Sequence, residues 1–352
     1  MSQGSIFNAD EKEYLGQFIY TPQESTAYAM QEVETLRENK HRALKFPVPI
    51  INDYFRDVLP GQICAVIAQA SNYKSGLIDY WAEQAAYDLM NQGRGDEVIV
   101  MVKVEDTIEE QIIAAMAARS GLSAGDISSG IILDWDRLEE GATYVGSVPI
   151  FRIGESLARS ELMLPDLHMS NIAKCIDYLA GINGEDDSLF GRRLKIGALF
   201  IDYLQALPYD PEIRSVVAKE QMRRLQVTND IRHIRRTAQR LHVPTVVGVQ
   251  AKQKLDNPPG PNMLIPSDYD GSETASIATL FDRVVTMWMP KRTHTVGQTL
   301  EHNGYKFIVE EDCLWVKVAK QRGKLPSGKV WKCKIDFATG AVRVVKTNAP
   351  PD

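Results

Sequence analysis

The 352-residue sequence predicts an α/β fold: a mostly parallel sheet, helices on both of its faces, and antiparallel hairpins at its C-terminal end. Three observations carry that expectation. Apolar runs of strand length alternate with amphipathic segments of helix length, which right-handed crossovers join into a parallel sheet. One run, LKIGALFID (194–202), is apolar almost throughout, as suits a strand covered on both faces. Near the C-terminus KFIVEED, CLWVKVAK, KVWKCKIDF and AVRVVK instead alternate every second residue between tight polar breaks, the pattern of hairpins.

Taken in order, residues 1–22 form a polar lead-in, and a helix follows from Glu24 to about Leu44, with Ala27, Met30, Val33 and Leu36 at three-residue steps. Two prolines in KFPVPIIND end it. The expected boundaries are therefore a lead-in and linker helix over 1–45, an α/β domain over 46–347 and a tail over 348–352. Within the domain, strands are predicted over 63–67, 97–105, 148–153, 194–202, 243–249 and 283–289. Helices are predicted after Lys74, over 107–121 with Thr107 as cap and Gly121 as stop, over 166–181, and from about Val216 to Leu241. The polar stretches 183–193 and 257–273 read as surface loops, the second long enough for a functional role.

Composition narrows the classes. Apolar content of 44% and charged content of 24% describe an ordinary globular chain. No run of about 18 apolar residues suggests a membrane span, and the N-terminus lacks the basic flank and apolar core of a secretory signal. Cys64, Cys175, Cys313 and Cys333 are widely spaced without a C-x-x-C pair. They read as small buried hydrophobes in a reducing, cytoplasmic compartment, with no zinc site. A net charge of −6 argues against broad coating of nucleic acid, while leaving room for a local basic track.

The chemistry concentrates in ICAVIAQASNYKSGLIDYWAEQAAYDL (63–89). An apolar strand enters a short polar loop, and Lys74-Ser75 opens an amphipathic helix. This is the layout of a phosphate-binding loop. Backbone N–H groups of Ala70, Ser71, Asn72 and Tyr73 would cradle phosphates, Lys74 would reach the β/γ-phosphates, and the Ser75 hydroxyl would hold Mg²⁺. ATP and Mg²⁺ are the cofactors this implies. The motif G-x-x-x-x-G-K-[ST] would place glycine at Ala68 and Tyr73. A side chain at Tyr73 is expected to crowd the phosphate or force the loop open, and so to reduce nucleotide affinity.

Three strand ends supply further candidates. Asp202 closes ALFID, facing the crevice where open α/β sheets bind ligands, and suits Mg²⁺; the alternative is a loop cap. Glu105 closes VIVMVKVE and suits a base that orients and deprotonates the attacking water, or else a solvated acid. Gln250 closes VVGVQ, where it can sense a γ-phosphate by hydrogen bonding or be unremarkable.

With these residues in place, IDYLQ (201–205), VPTVVGVQ (243–250), KVED (103–106) and AKQRG (319–323) resemble the RecA-like P-loop ATPase domain of DnaB-type replicative helicases. The resemblance spans about Val48 to Phe337, including PVPIINDYFRDVLPG with Leu59-Pro60-Gly61 in register. Alanine at position 68 is common in that family. The resemblance implies that Lys74 and Ser75 bind phosphate and Mg²⁺, that Glu105 is the catalytic carboxylate, and that Asp202 is the Walker B acid. It also makes Gln250 the link between nucleotide state and the DNA loops. Lys320 and Arg322 match the basic pair that reaches the neighbouring subunit's γ-phosphate, which requires a ring or filament; a basic surface hairpin is the alternative. Gln253 stands where the family usually has arginine. The helical N-terminal domain of full-length relatives is expected to be absent.

Single-stranded DNA and a homo-oligomer, most simply a hexameric ring, are the partners implied, with no membrane. Loops from Lys252 to about Thr274 line the channel in the family; Lys252 and Lys254 supply positive charge there, opposed by Asp268, Asp270 and Glu273. On the long helix, Met222, Leu225, Ile231, Ile234, Ala238 and Leu241 form the expected apolar face. Arg224, Arg232, Arg236 and Arg240 occupy another, read as a solvated face or subunit contact before a phosphate stripe. The leading expectation is an ATP-dependent, ring-forming DNA helicase or translocase. An oligomeric scaffold of the same fold with weak or no hydrolysis is the first alternative. A RadA- or KaiC-like recombination or regulatory ATPase is the second.

Overall fold

The computed structural model describes residues 19–132, 134–159, 166–181, 194–208, 219–251, 265–267, 277–302, 305–323 and 325–345. The chain divides into two compact units, Met1–Ala43 and Leu44–Asp352. In the first, helix α1 (Pro22–Glu38) starts where Thr21 and Glu24 form a reciprocal capping box and Pro22 presets the first turn. It ends six residues before the expected Leu44, giving way to a short 3₁₀ turn over Lys40–Arg42. No residue of α1 is buried.

The second unit is organised by a nine-stranded sheet. Its strands are β1 (Ile63–Ala68), β2 (Glu97–Lys103), β3 (Ile150–Ile153), β4 (Lys195–Asp202), β5 (Thr245–Gln250), β6 (Arg283–Trp288), β9 (Cys313–Gln321), β10 (Val330–Ile335) and β11 (Val342–Val344), in the order β11-β10-β9-β6-β1-β5-β4-β2-β3. From β6 to β3 every pairing is parallel; from β6 to β11 every pairing is antiparallel. The change of periodicity in the sequence therefore marks the change of strand direction. One part of it does not: KFIVEED lies outside this sheet. β7 (Thr299–His302) and β8 (Tyr305–Ile308) pair only with each other. They fold over their own cluster of Trp288, Leu300, Phe307 and Trp315.

Strand alternation divides the core into two layers. Cys64, Val66 and Ala68 of β1 face one, while Ile63, Ala65 and Ile67 face the other. The first layer is covered by α2 (Pro49–Phe55) and α3 (Lys74–Asn91), whose Leu77, Ile78, Trp81, Ala82, Ala85 and Leu89 are buried at helical spacing. The crossover from β2 to β3 carries α4 (Ile108–Ser120), α5 (Ala124–Ser128) and α6 (Trp135–Ser147); only α4 was expected, with Thr107 and Gly121 as its ends. The second layer is covered by α7 (Met169–Ala180) and α8 (Lys219–Leu241). Val227, Ile231, Ile234 and Ala238 of α8 are buried, but Leu225, expected on the apolar face, is 47% exposed. Arg232 and Arg236 are not buried, and Arg240 pairs with Asp177. The predicted loop 183–193, the tail 348–352 and the side chains of Met222 and Arg224 lie outside what is described. Cys64, Cys313 and Cys333 are buried as expected, whereas Cys175 is exposed.

Candidate nucleotide site at the end of the parallel strands

Asn72 ties the loop leaving β1 to the strand end beside it. Asn72, 2% exposed, accepts through Oδ1 from the Met289 N–H (2.8 Å) and donates through Nδ2 to the Ala70 carbonyl (2.9 Å). Its amide is thus committed to holding the loop, leaving only its backbone for an anion. Helix α3 then begins at Lys74 without a side-chain cap. Its first N–H groups and the positive end of its dipole face a cavity of about 590 Å³. Ala70, Ser71, Lys74, Ser75, Glu105 and Gln250 all line that cavity.

Tyr73 occupies the glycine position in the conformation glycine favours, with φ 65° and ψ 22°. Its ring does not lie free over the loop. It crosses the first turn of α3, packs edge-on against Phe337, and donates its hydroxyl to the Gly340 carbonyl at 3.1 Å. Burial pushes its phenol up to about 12. A Cβ on Gly76 would lie 2.6 Å from two atoms of this ring. The missing side chain at position 76 therefore makes room for the one added at position 73.

Beside the loop, the Lys74 ammonium lies 2.5 Å from the Asp202 carboxylate, both residues under 10% exposed. Burial holds the Lys74 pKa below its usual value, with Asp202 opposing the shift. The ammonium also sits 3.8 Å from the centre of the Tyr203 ring. Gly248 on β5 leaves space for Asp202, since a Cβ there would come within 2.7 Å of Asp202 Oδ1. Ser75 and Asp202 suit Mg²⁺ as a hydroxyl and a single carboxylate that leave most positions to water and phosphate. Among the described residues no cluster of three or more His, Cys, Asp or Glu side chains forms a closed metal cage.

Glu105 stands two residues past β2 rather than at its end, exposed, and accepts a 2.7 Å hydrogen bond from the Tyr203 hydroxyl. Burial and this carboxylate keep the Tyr203 phenol above its usual pKa. Gln250 ends β5 as expected. Its N–H donates to Gln205 Oε1 at 2.9 Å and its carbonyl accepts from Gln205 Nε2 at 3.3 Å, so Gln205 fixes its backbone. Tyr203, Arg292 and Phe337 also line the cavity and were not anticipated. Arg292 follows β6, the strand beside β1, so the strand order would have pointed to it.

Lys320 and Arg322 are not part of this cavity. Gln321 pairs with Arg283 and Arg283 with Cys64, which puts the pair beside the start of β1, at the opposite end of the sheet from Lys74. Lys320 Nζ donates to the Ala278 carbonyl (2.7 Å), and Arg322 pairs with Asp282 (2.9 Å). Lys252, Lys254, Gln253, Asp268, Asp270 and Glu273 lie outside the described residues.

A mostly parallel sheet with a lysine-bearing loop after its β1 strand and an acid at the end of a nearby strand is a RecA-like fold. Among such folds, it is the fold of the DnaB-type helicase ATPase domain. A solved structure described as a DnaB-like replicative helicase and its interactions with primase matches with a TM-score of 0.64 and 14% identity, over 93% of this chain and 67% of that one. A second solved structure, described as an ATPase domain, matches with a TM-score of 0.63 and 13% identity, over 93% of this chain and 100% of that one. No protein-family model and no curated protein matches the sequence. No helix among the described residues is long and apolar enough to cross a membrane.

Proposed function

We propose that this chain is an ATP-driven DNA motor of the DnaB helicase type, working as a ring of identical subunits, most simply a hexamer, on single-stranded DNA. The observation that carries this reading is the convergence of Lys74, Glu105 and Gln250 on one cavity at the mouth of an uncapped helix, with Asp202 paired to Lys74. The Lys74 ammonium exchanges Asp202 for phosphate oxygens, and the loop and first-turn N–H groups share the negative charge. The Ser75 hydroxyl and Asp202 would hold Mg²⁺, which would supply neutralisation of the phosphate charge. Glu105, held by the Tyr203 hydroxyl, orients the attacking water and accepts its proton. Gln250, anchored by Gln205, reads the γ-phosphate. Lys252 and Lys254, just beyond Gln250 in sequence, are the proposed DNA contacts.

Steady-state ATP hydrolysis with Mg²⁺, with and without single-stranded DNA, tests the reading: turnover that rises with DNA supports it, and no turnover sinks it. A nucleotide-independent assembly without hydrolysis would favour the scaffold reading, for which the left-handed Tyr73 speaks. Two further outcomes are expected. Glu105→Gln keeps nucleotide binding but loses about 10²-fold or more in turnover, as removal of a general base does; weakened binding with unchanged turnover would reassign Glu105.

Arg322→Ala loses about 10³-fold in turnover, the scale of an arginine finger. Mixing it with Lys74→Ala subunits restores part of the activity, because some interfaces then combine an intact loop with an intact Arg322. If mixed rings, confirmed by co-purification of differently tagged subunits, stay inactive, Arg322 does not act across the interface.

A further inference from the structure

A second cavity, of about 250 Å³, lies on the far side of Tyr73 from the phosphate loop, between α3, α4, α6 and β3. One wall is the α4 face presenting Ala114, Ala115 and Ala118; Tyr80 of α3 and Tyr144 of α6 also line it. The wall is flat because alanine projects only a methyl group, and the tyrosines add aromatic faces, so the space suits a planar molecule of ring size.

Two opposite charges line this space without meeting. Glu83 of α3 makes no hydrogen bond or contact ion pair among the described residues, and Arg152 of β3 makes only a 3.4 Å bond from Nη1 to the Ile150 carbonyl. Beside them Lys103 neutralises Asp79 at 2.8 Å. Burial holds the Glu83 carboxyl above the usual carboxylate range and the Arg152 guanidinium below its own. Charged groups drawn out of water are costly unless something pairs with them, and such groups in an apolar cleft are the signature of a ligand site. Among the residues lining the cavity, Asp79 and Glu83 balance Lys103 and Arg152, while Arg119 and Arg152 attract Glu83 from beyond contact distance. The cavity needs a donor for Glu83 and an acceptor for Arg152 on one uncharged molecule.

We infer that this cavity binds an uncharged planar heterocycle with a hydrogen-bond donor beside a carbonyl, the class that includes the guanine and uracil nucleosides. Glu83 accepts from the ring N–H, Arg152 donates to the ring carbonyl, and the alanine face of α4 receives the plane. The site shares Tyr73, Gly76 and Phe337 with the cavity at the phosphate loop but lies on the other side of the Tyr73 ring, and its occupation does not depend on ATP hydrolysis.

Calorimetric titration of guanosine into the full chain, without Mg²⁺ or triphosphate, tests the assignment. Adenosine, which lacks the carbonyl, is the comparison. Guanosine is expected to bind at one site and at least about tenfold more tightly than adenosine, the scale of a hydrogen bond to a charged group. Ala115→Phe, which fills the cavity, abolishes binding; Glu83→Gln weakens it about tenfold, since a charge-assisted bond is lost; Arg292→Ala, in the phosphate cavity, leaves it unchanged. Glu83→Gln carries the test alone if Ala115→Phe fails to melt cooperatively. No guanosine binding at millimolar concentration, equal binding of adenosine, unchanged binding in Glu83→Gln, or loss in Arg292→Ala would each overturn the inference.

Discussion

Lys74→Ala is expected to abolish ATP turnover and, separately, to destabilise the fold. The first effect follows from losing the only lysine, among the described residues, that lines the cavity proposed to bind phosphate. The second follows from burial: Asp202 is 5% exposed and its carboxylate accepts from Lys74 at 2.5 Å. Removing one partner of a buried pair leaves an uncompensated charge and costs about 3–5 kcal/mol. Urea unfolding at neutral pH should read that loss. Replacing both partners, as in Lys74→Met with Asp202→Leu, should recover most of the stability and none of the turnover. The two roles of Lys74 are thereby separated. Full activity in Lys74→Ala would remove the loop from the chemistry, and full stability would show that the ion pair is open to solvent.

The second large effect joins positions 73 and 76. Gly76→Ala should cost about 1–3 kcal/mol, the scale of overpacking. Its Cβ meets the Tyr73 ring at 2.6 Å and must dislodge it from Gly340 and Phe337. In a Tyr73→Gly background the same change should be neutral or stabilising by about 0.5–1 kcal/mol, as alanine is in a helix. Tyr73→Gly alone relieves about 1–2 kcal/mol of left-handed backbone cost while losing the ring contacts and the phenol hydrogen bond. It should also tighten ATP binding, because a bare loop can approach the phosphates more closely. Unfolding curves of all four proteins complete the double-mutant cycle. A coupling near zero would mean that the ring does not rest on Gly76.

Much of the site was legible because its residues sit at strand ends that local pattern marks. ALFID ends at Asp202 and VVGVQ at Gln250, and both residues close their strands and line or adjoin the same cavity. The boundaries were less secure. KVED looks like the end of a strand, but β2 stops at Lys103 and Glu105 is held by Tyr203, a contact spanning 98 positions. The segment 122–147 carries no predicted element. Its α6 has only Leu138 and Gly141 buried, and it is held by Arg119 stacking 3.5 Å from the centre of the Tyr144 ring and by Arg137 reaching the Ser120 carbonyl. Such contacts join residues of different helices and are not marked by local spacing.

By itself, then, the sequence determined the alternation that makes the sheet parallel, the switch to antiparallel edge strands, the lysine-bearing loop and the acid at the end of β4. Each follows from near-neighbour spacing, because side chains project every second residue along a strand and about every fourth along a helix. Only the tertiary structure decided what Tyr73 does in a glycine position. The answer lies in the hydrogen bond to Gly340, 267 residues away, and in the Cβ that Gly76 lacks. It also decided that Lys320 and Arg322 stand at the opposite end of the sheet from Lys74. An antiparallel strand returns its end to where its partner began, a property of pairing and not of any single residue.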